Sequence, residues 1–226
     1  MSIDIGVLPL SAREAGRIVT QEHYLHRRPS ISHAYALTDG LDIVGVVTFG
    51  TPASHHLMKS ACPSNPSLVV ELNRLWVDDS QPRNAESWFV SRALKMLPPR
   101  IVVSYADTTM GHVGYVYRAL NFRYAGWTDM ERKTPRFDYL PADPTKHTRQ
   151  ASREGITADT VRVRRLPKVK YWTTTGTPTD RRVLAKICGW PSLDWRVTPP
   201  PGATADMASE SVGATEKNPS MTGGEQ

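Results

Sequence analysis

The sequence predicts an α+β (mixed α/β) fold, and three observations carry that prediction. Strand-like and helix-like stretches mix too closely for a helical bundle or a β-sandwich. Thr38-Asp39-Gly40, set between two apolar runs, is a hairpin signal that demands antiparallel neighbours. Beyond residue 84 the order becomes helix, strand, helix, strand with short connections.

Ile3 to Leu10 reads as a first strand. Ser11-Ala-Arg-Glu14 has the spacing of a capping box, and Ala12, Ala15, Ile18, Val19 and Leu25 recur at helical spacing. A helix to about His26 follows, stopped by Pro29. His33 to Leu37 and Asp42 to Phe49 form the hairpin. Thr51 to Pro66 is a polar, proline-containing connection, and Leu68 to Val77 is the next strand. A helix over Ala85 to Leu97 has Phe89, Ala93 and Met96/Leu97 along one face, with Asn84 at the N-cap position. Pro98-Pro99 closes it. Ile101 to Tyr105 is a short buried-type strand, Val113 to Leu120 a helix ending at Asn121, and Phe122 to Thr128 a strand. From Asp129 to Thr160 the pattern dissolves into polar sequence. Val161 to Trp172 regains a strand rhythm, and Asp180 to Cys188 reads as a last short helix with Gly189 past its end.

A length of 226 residues and 39% hydrophobic content suit one domain with a tail. The domain is expected over 1–195, including a basic part from about 129, and the tail over 196–226. From Val197 onward the chain holds four acids, one base and almost no large apolar residue, which predicts an acidic disordered tail and leaves residues 1–196 with a formal charge of +9. A basic domain points to a polyanionic partner. The two cysteines, Cys62 and Cys188, form no CxxC pattern, so neither a disulfide framework nor a thiolate zinc site is expected, and a reducing cytoplasm fits. No stretch approaches the length of an apolar membrane span.

The stretch Glu71 to Trp88, ELNRLWVDDSQPRNAESW, passes from a strand through a polar turn into a helix. A helix N-terminus there leaves amides that favour an anion, although an ordinary strand-to-helix turn has the same pattern. Further along, VVSYADTTMGHVGYVYRALNFRYAG carries a tyrosine, Tyr117, followed four and five residues later by Asn121 and Phe122.

This region resembles the acyl-CoA-dependent N-acyltransferase (GNAT) superfamily, which has Gly-Phe at the corresponding place. Asn is the next residue most tolerant of the left-handed conformation that such a helix end takes. The combination ELNRLWV, PRNAESWFVSRAL, VVSYAD and the Tyr117 to Phe122 run resembles, more narrowly, the Mom family of phage DNA-modification proteins. The resemblance covers about residues 1–190. It implies a GNAT-like central mixed, largely antiparallel sheet flanked by helices. It also implies a transferase that converts the exocyclic N6 amine of adenine in double-stranded DNA to a carbamoylmethyl-type group and so shields phage DNA from restriction. The host cytoplasm is then the setting.

The resemblance places the donor at Arg83, Asn84, Ala85, Glu86 and Ser87. The superfamily's pyrophosphate loop is glycine-rich, and this stretch has no glycine, while Glu86 adds a negative charge. Acetyl-CoA or another acyl or aminoacyl donor is therefore the expected co-substrate.

Ser104, Tyr105 and Asp107 lie at the C-terminal end of a central strand, where side chains face the ligand crevice in such sheets. Asp107 serves either to orient or deprotonate an attacking amine or to cap the next helix. Tyr105 either donates to a developing oxyanion or belongs to the core. His23 and Tyr24 close the first helix, where the superfamily places its acceptor. A neutral-range proton donor suits that place, as does a histidine held by the helix dipole. Tyr117 matches the superfamily position that protonates a leaving thiolate; a packed helix tyrosine is the other reading. Glu71 and Arg74 have opposite strand parity, which predicts opposite faces. His55-His56 is not a metal site, and no metal requirement can be read. Between Arg118 and Lys170 there are 13 Lys/Arg against 6 Asp/Glu. Arg132, Lys133, Arg136, Arg164, Arg165, Lys168 and Lys170 are the candidates to neutralise phosphates, a solvated basic face being the alternative. Two other function classes share these features: a general acetyltransferase for a small-molecule or protein amine, and a non-catalytic DNA-binding protein.

Overall fold

The computed structural model describes residues 5–40, 42–140 and 160–200. Ile3 and the expected tail from residue 201 lie outside the described residues, as do Lys146, Arg149 and Arg153 of the basic run.

The chain runs β1 (Ile5–Pro9), α1 (Ala12–Glu22), β2 (His33–Asp39), β3 (Asp42–Gly50), α2 (His55–Ala61), β4 (Val69–Val77), α3 (Ala85–Met96) and β5 (Ile101–Asp107). It continues through α4 (Tyr115–Ala119), β6 (Arg123–Trp127), β7 (Phe137–Leu140), β8 (Val161–Arg164), β9 (Lys168–Thr174) and a last helix, α5 (Pro178–Ile187). Seven strands form one mixed sheet in the order β1-β2-β3-β4-β5-β9-β6, and β7 and β8 pair as a separate ribbon. Only β4 and β5 are parallel; the other neighbours are antiparallel.

Local chemistry accounts for most boundaries. Ser11 Oγ accepts from the Glu14 N–H at 3.2 Å and starts α1. Its buried residues Ala15, Ile18 and Val19 pack on Ala34 and Val46 of the first hairpin. α2, between Thr51 and Pro66, is shorter than two full turns and lacks a side-chain cap, so no start signal announced it. α5 begins two residues before the expected Asp180. Thr177 and Asp180 form a complete capping box around a proline at the first helical position. Asn84 does not cap α3 with its side chain. It is left-handed (φ 72°), and its carbonyl accepts from Trp88 N–H and Ser87 Oγ, both at 3.0 Å. Asn121 is also left-handed, φ 56°, as its place after α4 requires.

Helices cover both faces of the sheet. α3 and α4 pack on Leu37, Phe49, Leu72, Val102 and Tyr171, while α2 and α5 cover Val69, Ile101, Val103 and Trp172 on the opposite face, beside α1. The segment after α5 closes the far edge. Trp195 stacks among Tyr124 and Tyr171, and Tyr124 Oη donates to the Thr198 carbonyl at 2.9 Å.

One irregularity shapes the centre. The β3–β4 register shifts between Thr48↔Arg74 and Phe49↔Leu72, leaving Asn73 as the extra residue of a β-bulge. Thr48 Oγ1 donates to Asn73 Oδ1 at 2.6 Å, and Asn73 Nδ2 donates to the Ser30 carbonyl at 2.8 Å. Gly50 makes room for that carbonyl, because a Cβ there would stand 1.8 Å from it. The extra residue reverses the strand's parity, so Glu71 and Arg74 share a face, contrary to the alternation expected of a regular strand.

Asn73→Ala removes both side-chain bonds and leaves the Thr48 hydroxyl and the Ser30 carbonyl without this partner. Its unfolding free energy in a denaturant titration should fall by about 1–3 kcal/mol. A fall under about 0.5 kcal/mol would show that the bulge does not need its side chain.

Candidate active site

The parallel register of β4 and β5 holds for four pairs, from Val69↔Ile101 to Leu72↔Ser104, and then stops. Ser104 Oγ donates to the Leu72 carbonyl at 2.9 Å at this last pair. Beyond it the strands part around a cavity of about 480 Å³.

Six parts of the chain wall the cavity. The bulged half of β4 gives Glu71 to Leu75, and the end of β5 gives Tyr105 to Asp107. The remainder comes from His23 to Leu25 after α1, Glu86 in the first turn of α3, Gly111 to Tyr117, and Lys168 at the start of β9. Tyr171 holds the loop before α4, its Oη donating to the Val113 carbonyl at 2.6 Å. Gly114, at φ 90°, is required there, since a Cβ would lie 2.3 Å from the Tyr171 ring.

Asp107 fills both roles that the sequence allows it. Its Oδ1 accepts from Thr109 N–H at 3.1 Å and Thr109 Oγ1 at 2.5 Å, capping the turn Thr108–Met110, while its Oδ2 accepts from Lys168 Nζ at 2.7 Å. Desolvation, the largest single influence, works to raise its pKa. The hydrogen bonds from Lys168 and Thr109, together with the Lys168 charge, outweigh it and hold the carboxyl below the usual range. Glu71 is shifted the other way. Burial raises its pKa against the opposing charges of Arg74 and Lys168.

The Arg74 guanidinium donates to the carbonyls of Asn73 at 2.6 Å and Arg27 at 3.4 Å. Its Nε is buried without an acceptor among the described residues. The phenols of Tyr24, Tyr105 and Tyr117 are all pushed up by burial, Tyr117 to about 12 with hydrogen bonding to Ser104 pulling the other way. They remain proton donors throughout the neutral range. His23 is 7% exposed, and its Nδ1 accepts from Leu25 N–H at 3.1 Å. Burial, then Arg74, His26 and His112, lower its pKa to about 4, so the ring is neutral. Tyr24 stacks on it with ring centroids 4.3 Å apart and meets His112 edge-on at 6.0 Å.

Of the residues singled out by sequence, His23, Tyr24, Tyr105, Asp107, Tyr117 and Glu86 share this cavity, and Lys168 joins them. Ser104 is fully buried and not among the lining. Arg83, Asn84, Ala85 and Ser87 are not among its lining; they form the turn that leads to Glu86. Among the described residues the amides of Glu86 and Ser87 have no acceptor. Arg132, Lys133, Arg136, Arg164 and Arg165 gather at a second, smaller hollow, and Lys170 lies over Trp190 at 5.3 Å. Glu71 and Arg74, expected on opposite faces, both line the cavity, and His112 lines it without having been singled out by sequence. Arg74 was hidden by the bulge. Gly111-His-Val-Gly114, two glycines three apart after a strand, was the available signal for His112. Among the described residues no cluster of three or more His, Cys, Asp or Glu is placed to hold a metal ion, and no helix is long and apolar enough to cross a membrane.

A crevice at the carboxyl ends of parted strands, in a mixed α/β sheet covered on both faces, defines a protein of the ligand-binding α/β class. The chain belongs to the Mom protein family, which matches residues 4–176. It is 33% identical over 132 residues to the methylcarbamoylase Mom of Escherichia phage Mu, a match covering 55% of each chain. The chain thus spans about half the length of this curated relative. Similar solved structures include a Bacillus subtilis acetyltransferase in complex with CoA, with a TM-score of 0.39 and 13% identity over 76% of this chain and 100% of that one. An N-acetyltransferase from Staphylococcus aureus overlaps with a TM-score of 0.42 and 12% identity over 76% and 98%.

The depressed His23 pKa has a sign that can be checked. The unfolded chain takes up the proton near 6.5 and the folded chain near 4. Stability from the neutral ring is therefore complete above about pH 6.5 and is lost as pH falls toward 4. His23→Asn keeps an acceptor for Leu25 N–H but cannot titrate, so its unfolding free energy should fall less than the wild type's across that window. Parallel slopes in denaturant titrations would contradict the assignment.

Proposed function

We propose that this protein is a transferase that modifies the exocyclic N6 amine of adenine in double-stranded DNA with a carbamoylmethyl-type group, protecting phage DNA from host restriction. The observation that carries the reading is the single cavity that gathers Asp107, Tyr105, Tyr117, His23 and Tyr24. Family membership supports the reaction class, and the name methylcarbamoylase, borne by the phage Mu relative, supports the transferred group.

An adenine stacked in duplex DNA cannot bring N6 into a crevice of this depth, so the base is turned out of the helix into the cavity. Its flat, uncharged ring suits the lip formed by Tyr24, neutral His23 and His112. Asp107, held ionised by Lys168 and Thr109, orients the amine and takes a proton as the nitrogen forms its new bond. Tyr105 and Tyr117 keep their protons and donate them, one to charge developing on oxygen, the other toward the departing group.

On the donor side, Arg83 and the open amides at the start of α3 fit a phosphoryl group, while the Glu86 carboxylate lining the cavity opposes a second negative charge. An aminoacyl donor, bound there, would supply the electrophilic carbon together with the nitrogen that a carbamoylmethyl-type group carries, whereas acetyl-CoA, which holds no such nitrogen, would leave an acetyl group.

Mass spectrometry of nucleosides from DNA co-expressed with the protein tests the reading, and a new adenine adduct is the expected result. Acylated metabolites with unmodified DNA would indicate a general N-acyltransferase; unmodified DNA with salt-sensitive binding alone would indicate a non-catalytic DNA-binding protein. Asp107→Asn keeps the Thr109 cap but loses the base. Adduct yield per unit time should drop by about 10²–10⁴-fold with DNA affinity unchanged, and normal yield would remove Asp107 from the mechanism.

A further inference from the structure

β7 and β8 form a two-stranded ribbon outside the main sheet, with all four residues of β8 exposed. An isolated pair of strands is marginal in water, so such a ribbon gains from a partner along its surface. The register sets Phe137 opposite Arg164 and Tyr139 opposite Arg162, which places these four on one face; Asp138, Leu140, Val161 and Val163 share the other. On the first face the Arg162 guanidinium lies over the Phe137 ring at 3.7 Å, an arrangement that holds the cation out along the strand.

At the ribbon's base is a hollow of about 190 Å³, lined by Arg132, Lys133, Arg136, Arg164 and Arg165, with Asp129 the one carboxylate among its lining residues. Not all of these cations are equivalent. Arg132 and Arg136 both pair with Asp129, at 3.5 and 3.2 Å, and Arg165 forms a two-pronged pair with Asp138. These pairs fix the walls. Lys133 and Arg164 have no acidic partner among the described residues, so they bring uncompensated positive charge to the hollow.

The hollow adjoins the active-site cavity through consecutive residues. Pro167 lines the hollow, and Lys168, the partner of Asp107, lines the cavity. Thr108 Oγ1 donates to the Pro167 carbonyl at 2.6 Å and Lys168 N–H to Thr128 Oγ1 at 2.9 Å, tying the ribbon's base to the ends of β5 and β6.

We propose that the ribbon and this hollow are the duplex-DNA docking element of the protein. The hollow receives a backbone phosphate through Lys133 and Arg164, and the Phe137/Tyr139/Arg162/Arg164 face lies along the major groove, which admits a two-stranded ribbon. Arginines and a lysine suit phosphate contact, and the two aromatic rings give the face its stiffness. The inference rests on DNA as the acceptor, and it assigns the surface that seats the duplex while the target base occupies the cavity.

Fluorescence anisotropy with the full chain, a labelled short duplex and the matching single strand, over a series of NaCl concentrations, is the test. The slope of log affinity against log salt should shrink by about 0.9 for Lys133→Ala, by the same for Arg164→Ala, and by about 1.8 for the pair. Val163→Ala, on the opposite face, should bind as wild type does. Lys133 is exposed and lies outside both strands, so Lys133→Ala carries the test even if an Arg164 variant fails to fold. If the wild type binds duplex DNA and Lys133→Ala keeps the full slope, the docking assignment falls while DNA as acceptor stands. If the wild type binds no DNA, both fall. Single-strand binding as tight as duplex binding, weakened by the same substitutions, would overturn the groove placement.

Discussion

The parting of β4 from β5 after Leu72↔Ser104 is the constraint on which the rest of the site depends. Two parallel strands cannot separate cheaply unless the backbone groups released have other partners. Here the outer neighbours hold each strand from its other edge, and the inner-edge groups released face the crevice. β3 follows β4 to Val77 across the bulge, and β9 follows β5 along its whole length, from Thr174 opposite Ile101 to Lys168 opposite Asp107. The gap is then filled with side chains, and the bulge at Asn73 decides which ones, turning Arg74 onto the face that already carries Glu71.

That arrangement sorts charge by depth and partner. Glu71 faces Arg74 and Lys168, and Asp107 holds Lys168, while Glu86 brings a third carboxylate to a lining with these two fixed cations. Within the aromatic lip the His23 ring is neutral, held so by burial first and then by the Arg74 charge.

How much of this was legible in the sequence varied with the range of the interaction involved. Ser11, the Thr38-Asp39-Gly40 turn, the apolar stripe of α3 and the left-handed Asn121 are local signals, and the elements they mark stand where expected. β7 was not visible, because four residues of mixed polarity carry no period of their own and pair only with a strand more than twenty residues later. The insertion of β9 between β5 and β6 is also a tertiary outcome. So is the Asp107–Lys168 pair, between residues 61 positions apart, which makes Lys168 a cavity residue where charge alone grouped it with the phosphate contacts. Asp107, Tyr105, His23 and Tyr24 could be selected from their positions at element ends, and Tyr117 through the resemblance carried by the run to Phe122. Their convergence required the splay, which no spacing encodes.

The strand order has a consequence for how the protein is made. β9 leaves the ribosome after every other strand of the main sheet, yet it occupies an interior place, between β5 and β6. Until it emerges, β6 has no strand to join and β5 shows a bare edge of the kind that invites wrong pairing. The nascent chain completes its sheet only with this late insertion, and because Lys168 opens β9, Asp107 gains its counter-ion in the same event.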